Sequence, residues 1–411
     1  MRISETLLAL EIVSAGLSLA RKITECGYTA VLAGGCVRDM VRYEMGKDSE
    51  LDIHDVDIAT SMPMDELRRH FRCESNNGEA HGTLLVFENG IPFEVTRFRA
   101  DGNYSDGRHP DSVEWSDSFE EDAARRDFTM NAMGLTVDGT VLDYYGGIDS
   151  IESGVLTTVG DAIARFSEDA LRIIRAFRFA GKFSMSIGPG TMAACQAVAG
   201  KLSCISMERF HDEFRKCAKY GIREVARMMS FMANGIGWQV DTSVDWNAAA
   251  QMLERIANKY PDEWTEDHLF PIVMPDEETM RRFKCTRDEI SAWKFIRGMY
   301  RGYTAGTLDV VDLVDGLLDP RWPIFRNYVL GVSGSFALSR GDEHDLLSRE
   351  ATWPRTADMS KALVDAGEPS GKQFGERLRK IRLAVYKKKG KLQCVYPEDL
   401  NKLVASVREE E

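Results

Sequence analysis

The 411-residue chain lacks the features that mark several large classes of protein. Its eight cysteines (Cys26, Cys36, Cys73, Cys195, Cys204, Cys217, Cys285 and Cys394) are scattered, with no C-x-x-C pair. That spacing argues against a zinc site or a disulfide framework, and it suits a reducing compartment such as the cytoplasm. No run of about 18 apolar residues occurs, so no membrane-spanning helix is expected. Positive charge is also in deficit, with a net charge of −13. A surface coated in nucleic acid is therefore not expected, and any RNA contact falls to local basic patches. Internal repeats and low-complexity segments are missing as well.

What is present reads as a soluble globular protein, 44% apolar and 28% charged. Its length calls for two to four domains. Leu7, Leu8, Ile12, Leu19 and Ile23, with Glu5 and Glu11 among them, have the period of a domain helix and not the character of a targeting peptide. The organising stretch is Val31 to Thr60. It begins as an apolar strand, turns at Gly34-Gly35, and enters a helix carrying Arg38 and Asp39. It ends as a strand with Asp55 and Asp57 two positions apart, hence on one face, while Val56 and Ile58 point inward. Two carboxylates on one face repel unless a cation lies between them, and a divalent metal is the usual solution. A glycine turn that admits backbone N–H groups to a phosphate precedes them, so the stretch suggests metal-assisted chemistry on a nucleotide.

Further along, a short helix is expected from Pro63 to Phe71 and an alternating strand from His81 to Phe87. Asn89-Gly90 then turns into a partner strand from Phe93 to Arg99, a strong hairpin signal. The polar, glycine-rich segment Asp101 to Pro110 reads as a loop, and Glu120 to Met133 as a helix containing Arg125-Arg126-Asp127. Beyond Ile151 the signal is helical. Ser167 is expected to cap a helix running to Phe183, with Glu168 and Asp169 in its first turn. Further helices are expected at Met192 to Gly200 and Ser206 to Tyr220. Breaks are expected at Gly235-Ile236-Gly237, Pro271 to Pro275, Asp319-Pro320 and Glu368 to Gly371. From Gly371 to Lys391 nine Lys/Arg oppose one Glu, Glu376. This is the main basic patch.

Six motifs now stand in order: Gly34-Gly35-x-Val37-Arg38-Asp39, Asp55-x-Asp57, Glu94-Val95-Thr96-x-Phe98-Arg99, the Asp101-to-Pro110 loop, Arg125-Arg126-Asp127-Phe128-Thr129-Met130-Asn131, and Glu168-Asp169-Ala170-Leu171-Arg172. Together they resemble the class II tRNA nucleotidyltransferases (CCA-adding enzymes), relatives of the bacterial poly(A) polymerases. The resemblance covers about the first 220 residues. It implies an α+β fold with a small nucleotidyltransferase palm sheet, followed by a mostly α-helical neck, body and tail. The corresponding boundaries are 1–150 for the head, 151–222 for the neck, 223–330 for the body and 331–411 for a basic, tRNA-binding tail.

The resemblance also implies roles. Asp55 and Asp57 hold two Mg²⁺ ions, one activating a 3′-hydroxyl and one stabilising pyrophosphate. Glu94 is the candidate third carboxylate. Gly34 and Gly35 admit the triphosphate, with Arg38 pairing to its oxygens, and Asp39 is expected to fix Arg38 or a helix end and not to touch substrate. Arg126 contacts phosphate and Asp127 accepts from a ribose hydroxyl. Asp169 and Arg172 form a protein template: the carboxylate takes the amino hydrogen of cytosine or adenine, and the guanidinium donates to ring acceptors. Uracil and guanine would set a carbonyl against Asp169. The plain alternative is an i,i+3 salt bridge between the two. Arg175 and Arg178 continue the basic stripe toward phosphates. Met207 to Phe214 resembles a helix that supports the template helix. His211-Asp212 hints at a metal phosphohydrolase, but only His268 and His344 follow, so an intact domain of that kind is not expected. Lys387, Lys388 and Lys389 fit a sequence-independent contact to the tRNA elbow.

The expected activity is template-independent addition of CCA to tRNA 3′ ends from CTP and ATP, with the Asp101-to-Pro110 loop as the lever between C and A. A poly(A) polymerase would share every catalytic residue named. A non-catalytic RNA-binding protein with a relic site is the third reading, opposed by intact Asp55, Asp57, Arg126, Asp169 and Arg172.

Overall fold

The computed structural model describes residues 1–411 except 52, 76–78, 80–81, 102–112, 235–243, 260–264, 309, 334–355, 366–371 and 390–411. The chain divides into two compact units, Met1–Ala250 and Gln251–Glu411. The first contains a seven-stranded mixed sheet of order β3-β4-β5-β2-β1-β8-β9. Its strands are β1 (Ala30–Ala33), β2 (Asp57–Thr60), β3 (Cys73–Glu74), β4 (Thr83–Glu88), β5 (Ile91–Arg97), β8 (Gly134–Leu135) and β9 (Val141–Leu142). A separate hairpin pairs β6 (Arg99–Asp101) with β7 (Val113–Trp115), and β10 (Val155–Leu156) runs parallel to β11 (Ser186–Ile187).

Local chemistry explains the head. All four residues of β1 are buried, which suits a central strand. After the short helix α1 (Glu5–Leu8), α2 (Glu11–Glu25) buries Val13, Leu17, Leu19, Ala20 and Ile23. Gly16 lets α2 lie close on the sheet, for a Cβ there would stand 3.0 Å from Val56 and 3.3 Å from Phe93. The β4–β5 hairpin turns at Asn89 (φ 52°) and Gly90 (φ 82°), the two positive-φ positions that a tight type I′ turn needs. Thr83 to Glu88 is the observed strand. His81 and the Asp101-to-Pro110 loop beyond its first residue lie outside the described residues.

Helices α3 (Gly35–Glu44), α4 (Met64–His70), α5 (Phe119–Ala124) and α6 (Gly147–Ser153) alternate with these strands along the chain, and α7 (Ala162–Glu168) to α11 (Ile222–Asn234) follow. Two expectations need correction here. The helix foreseen over Glu120–Met133 ends at Ala124. Asp127 Oδ1 accepts from Phe128 N and from Asn131 Nδ2, and Phe128 bridges to Thr158, so the backbone leaves the helix for a turn. The helix foreseen from Ser167 to Phe183 is two helices. α7 starts after an Asp161 cap, Ser167 falls in its last turn, and Asp169 is extended (φ −150°, ψ 103°) before α8 (Leu171–Phe183). The hydrophobic period continues through the junction, but Asp169 captures Leu171 N at 3.1 Å, a local bond that competes with the helical ladder. Next come α9 (Pro189–Val198) and α10 (Met207–Tyr220), the latter packed on α8.

The second unit is helical. It includes most of α12 (Trp246–Lys259), then α13 (Leu269–Val273), α14 (Glu277–Arg282), α15 (Arg287–Ala305), α16 (Val310–Leu318) and α17 (Trp322–Ser333), followed by helices Thr356–Asp365 and Lys372–Lys389. Pro271 lies inside α13 in place of breaking it. It occupies the first turn, where a missing N–H costs little, and the break falls at Met274 to Asp276. Asp319-Pro320 is a turn after α16. The breaks foreseen at Gly235-Ile236-Gly237 and Glu368 to Gly371 lie outside the described residues. A small core of Val311, Val314, Met359, Leu363, Ile381 and Val385 joins α16 to the last two helices. Among the described residues no helix is long and apolar enough to cross a membrane.

Candidate active site

The sheet order brings the glycine turn and the acids together. β1 and β2 are antiparallel with Ala33 opposite Asp57, so the turn at Gly34 lies beside the acid. Gly34 has φ 77°, and a Cβ there would stand 3.2 Å from Arg126 Nη1 and 3.7 Å from Asp57 Oδ2. The position suits glycine for both conformation and space. β2 runs parallel to β5 with Ile58 beside Val95, which places Asp57 and Glu94 side by side. Asp57 begins β2, whereas Asp55 precedes the strand and is not part of the cleft wall. Burial, then Glu94 and Asp55, push the Asp57 carboxyl up against the opposing pull of Arg126.

The cleft has a volume of about 470 Å³. Its wall carries Gly34, Gly35, Asp57 and Glu94 at one side, and Asp169, Arg172 and Arg209 belong to it as well. Arg125 and Arg126 stand in the turn after α5, both held by the buried Asp122, at 2.7 Å and 3.2 Å. That pairing holds Asp122 below its ordinary value although burial opposes it. Asp122 was not foreseen. Its signal is an acid three and four residues before two arginines, a common surface pattern that only burial makes telling.

Asp127 is filled on every side. Its Oδ1 accepts from Phe128 N (2.8 Å) and Asn131 Nδ2 (3.0 Å), and its Oδ2 accepts from Arg175 Nε (2.8 Å) and Nη2 (2.6 Å). Burial alone would raise this carboxyl, but Arg175 and the Asn131 and Phe128 bonds hold it down at about 2. Arg38, expected to pair with phosphate, stands at the cleft wall beside Gly35 and is oriented by other groups. It makes a fork to Asp39 (2.8 and 2.9 Å), donates to Asn131 Oδ1 (2.7 Å) and lies 4.5 Å from the Phe183 ring centre. Arg178 is turned from the cleft toward Glu213 and packs on Phe179 at 4.2 Å. Asn131 and Phe179 thus organise the arginines, an arrangement that spacing does not reveal.

The expected template residues are both at the cleft but do not pair with each other. Arg172 Nη1 donates to Glu168 (2.7 Å) and Arg165 O (3.0 Å), and its Nη2 donates to Arg125 O (3.2 Å). Asp169 pairs with Arg209 of α10 at 2.7 Å. The i,i+3 salt bridge is replaced because the break at Asp169 turns the two side chains to different partners. In the second unit Arg379 pairs with Asp312 at 2.8 Å and Arg382 with Asp315, so part of the basic patch is neutralised by α16. Of Lys387, Lys388 and Lys389 only the helical backbone is described.

A sheet of this order, with paired acids beside a glycine turn and an arginine-rich wall, defines a nucleotidyltransferase head. Residues 30–157 match the model of the Poly A polymerase head domain. The chain is 41% identical over 286 residues to a CCA-adding enzyme of Leuconostoc mesenteroides, covering 69% of this chain and 68% of the relative. It is 43% identical over 195 residues to one of Limosilactobacillus fermentum, 47% of each chain. In structure it is similar to the Bacillus stearothermophilus CCA-adding enzyme in complex with CTP, with a TM-score of 0.73, 25% identity and 98% of both chains covered. The chain belongs to the CCA-adding enzyme family. It spans about half the length of the first curated relatives it matches. Membership implies dependence on a divalent metal.

Proposed function

We propose that the chain adds C, C and A in turn to the 3′ end of tRNA, using CTP and ATP and releasing pyrophosphate. The observation that carries this reading is one cleft shared by the Asp57–Glu94 acid pair and the Asp169, Arg172 and Arg209 cluster. The first suits nucleotidyl transfer, and the second suits a choice of base. Asp55, Asp57 and Glu94 fit a hard divalent cation. They are oxygen donors, and burial and then Glu94 keep the Asp57 carboxyl raised despite Arg126. Two Mg²⁺ ions held by these carboxylates would supply charge neutralisation at the 3′-oxygen and the pyrophosphate.

The chain's own residues do the rest. Gly34 and Gly35 let the backbone come close to the triphosphate, and Arg126 meets its oxygens. Arg38, at the cleft wall and oriented by Asp39 and Asn131, pairs with the same oxygens through its remaining N–H groups. A ribose hydroxyl reaching Asp127 takes the place of one of Arg175's two donors, since all acceptor positions are filled. Asp169 accepts from the amino group of cytosine or adenine, and Arg172 donates to the ring through N–H groups not spent on Glu168, Arg165 and Arg125. The neck is proposed at 151–222, the body at 223–330 and the tRNA-binding tail at 331–411, with Lys387, Lys388 and Lys389 on the tRNA elbow. The protein is proposed to work in the cytoplasm.

The deciding experiment supplies purified protein with tRNA lacking its 3′ end and each NTP in turn, then sequences the products. CCA is the expected addition. A long A tail would make it a poly(A) polymerase, and no incorporation would leave an RNA-binding protein.

A further inference from the structure

We propose that Arg209 is a specificity-determining positioning residue: it fixes the plane of the Asp169 carboxylate so that one lone pair points at the base edge. This rests on reading Asp169 as the acceptor for the base amino group. Asp169 stands in the extended link between α7 and α8, outside either helical ladder. Carboxylate torsions are broad, so an aspartate there does not orient itself. Leu171 N holds Oδ1 at 3.1 Å, and a single anchor leaves the group free to turn about it. Arg209 Nη2 holds Oδ2 at 2.7 Å and removes that freedom. Each oxygen then keeps one lone pair in a defined plane, and an amino group is recognised by direction.

Arg209 is well seated for this task. It belongs to α10, which is tied to α8 by the part-buried pair Arg178–Glu213 and anchored by Phe210 and Phe214, both fully buried. Its own guanidinium reaches the cleft wall. The acceptor is therefore set by a residue forty positions away in sequence.

The test measures kcat and KM of the full chain for CTP and UTP on tRNA lacking CCA, and for ATP and GTP on tRNA ending in CC. R209M is expected to lower the CTP/UTP and ATP/GTP ratios of kcat/KM by about tenfold or more, mainly through KM. R209K recovers part of the ratio, since an ammonium meets Oδ2 as a point charge without a fork. A uniform loss for all four nucleotides with ratios intact, or no change, overturns the proposal. D169A separates the two levels. Unchanged ratios in D169A would remove the underlying reading, whereas lowered ratios in D169A with intact ones in R209M would remove only Arg209. Should R209M melt below the assay temperature, R209Q is judged by the same criteria.

Discussion

Asp127 and Asp55 are both acids of the nucleotidyltransferase head, yet their surroundings give them opposite tasks. Asp127 is buried and saturated, so its charge acts on Arg175 and on stability. An aspartate held at about 2 when folded and near 3.8 when unfolded contributes stability that is complete above pH about 4 and fades as pH falls toward 2. The difference corresponds to about 2 kcal/mol. Asp127→Asn should lower the melting temperature at pH 7 and flatten its decline between pH 4 and 2 in thermal melts. Parallel curves for variant and wild type would show that the pair carries no such linkage. Asp55, by contrast, is exposed ahead of β2. Asp55→Ala should leave folding and tRNA binding nearly intact while abolishing nucleotide incorporation, measured by filter binding and primer extension. Residual wild-type turnover would end its assignment as a metal ligand.

Among the elements, the link at Asp169 matters most. One continuous helix from Ser167 would set Asp169 and Arg172 on a common face as an i,i+3 pair. The break instead sends Arg172 to Glu168 and Asp169 to Arg209. Both groups are then oriented by partners that are not each other, and both remain at the cleft. Asp169→Ala combined with Arg172→Ala should cut discrimination of CTP and ATP against UTP and GTP by tenfold or more, on the order of the ~1–3 kcal/mol of a good base-edge contact. Competition assays with mixed NTPs read this out, and unaltered preference would place base reading elsewhere. The motif residues were legible because they lie close together in sequence. The break was not, because hydrophobic periodicity continues through it and a side chain capturing Leu171 N leaves no periodic mark.

For the whole molecule, the proposed function sets an acidic chain against a polyanion. Its answer is segregation of charge. The Lys372–Lys389 helix carries the cations, although Arg379 and Arg382 are spent on Asp312 and Asp315 of α16. Lys387, Lys388 and Lys389, at the end of that helix, are the cations proposed to meet tRNA. Neutralising Lys387, Lys388 and Lys389 together should weaken tRNA binding and reduce the slope of log K against log salt by about 2 to 3. An unchanged slope in a salt titration would remove the patch from the interface.

Read as residues alone, the chain already shows its family's motifs. Gly34-Gly35, Asp55-x-Asp57, Arg126-Asp127 and Asp169-x-x-Arg172 are the motifs behind the proposed nucleotidyl transfer and choice of base, and they are visible because side-chain alternation and helical spacing act over a few residues. Tertiary structure decided which of these groups have charge to spare. Arg38 is oriented by Asp39 and Asn131, whereas Arg178 is consumed by Glu213 and Asp127 by Arg175. Asp57 and Glu94 are set side by side with Arg126 opposing their repulsion, and Asp169 receives Arg209 from forty residues away. The physical reason is that pairing and burial of charge depend on neighbours brought by packing, and those neighbours have no fixed distance along the chain.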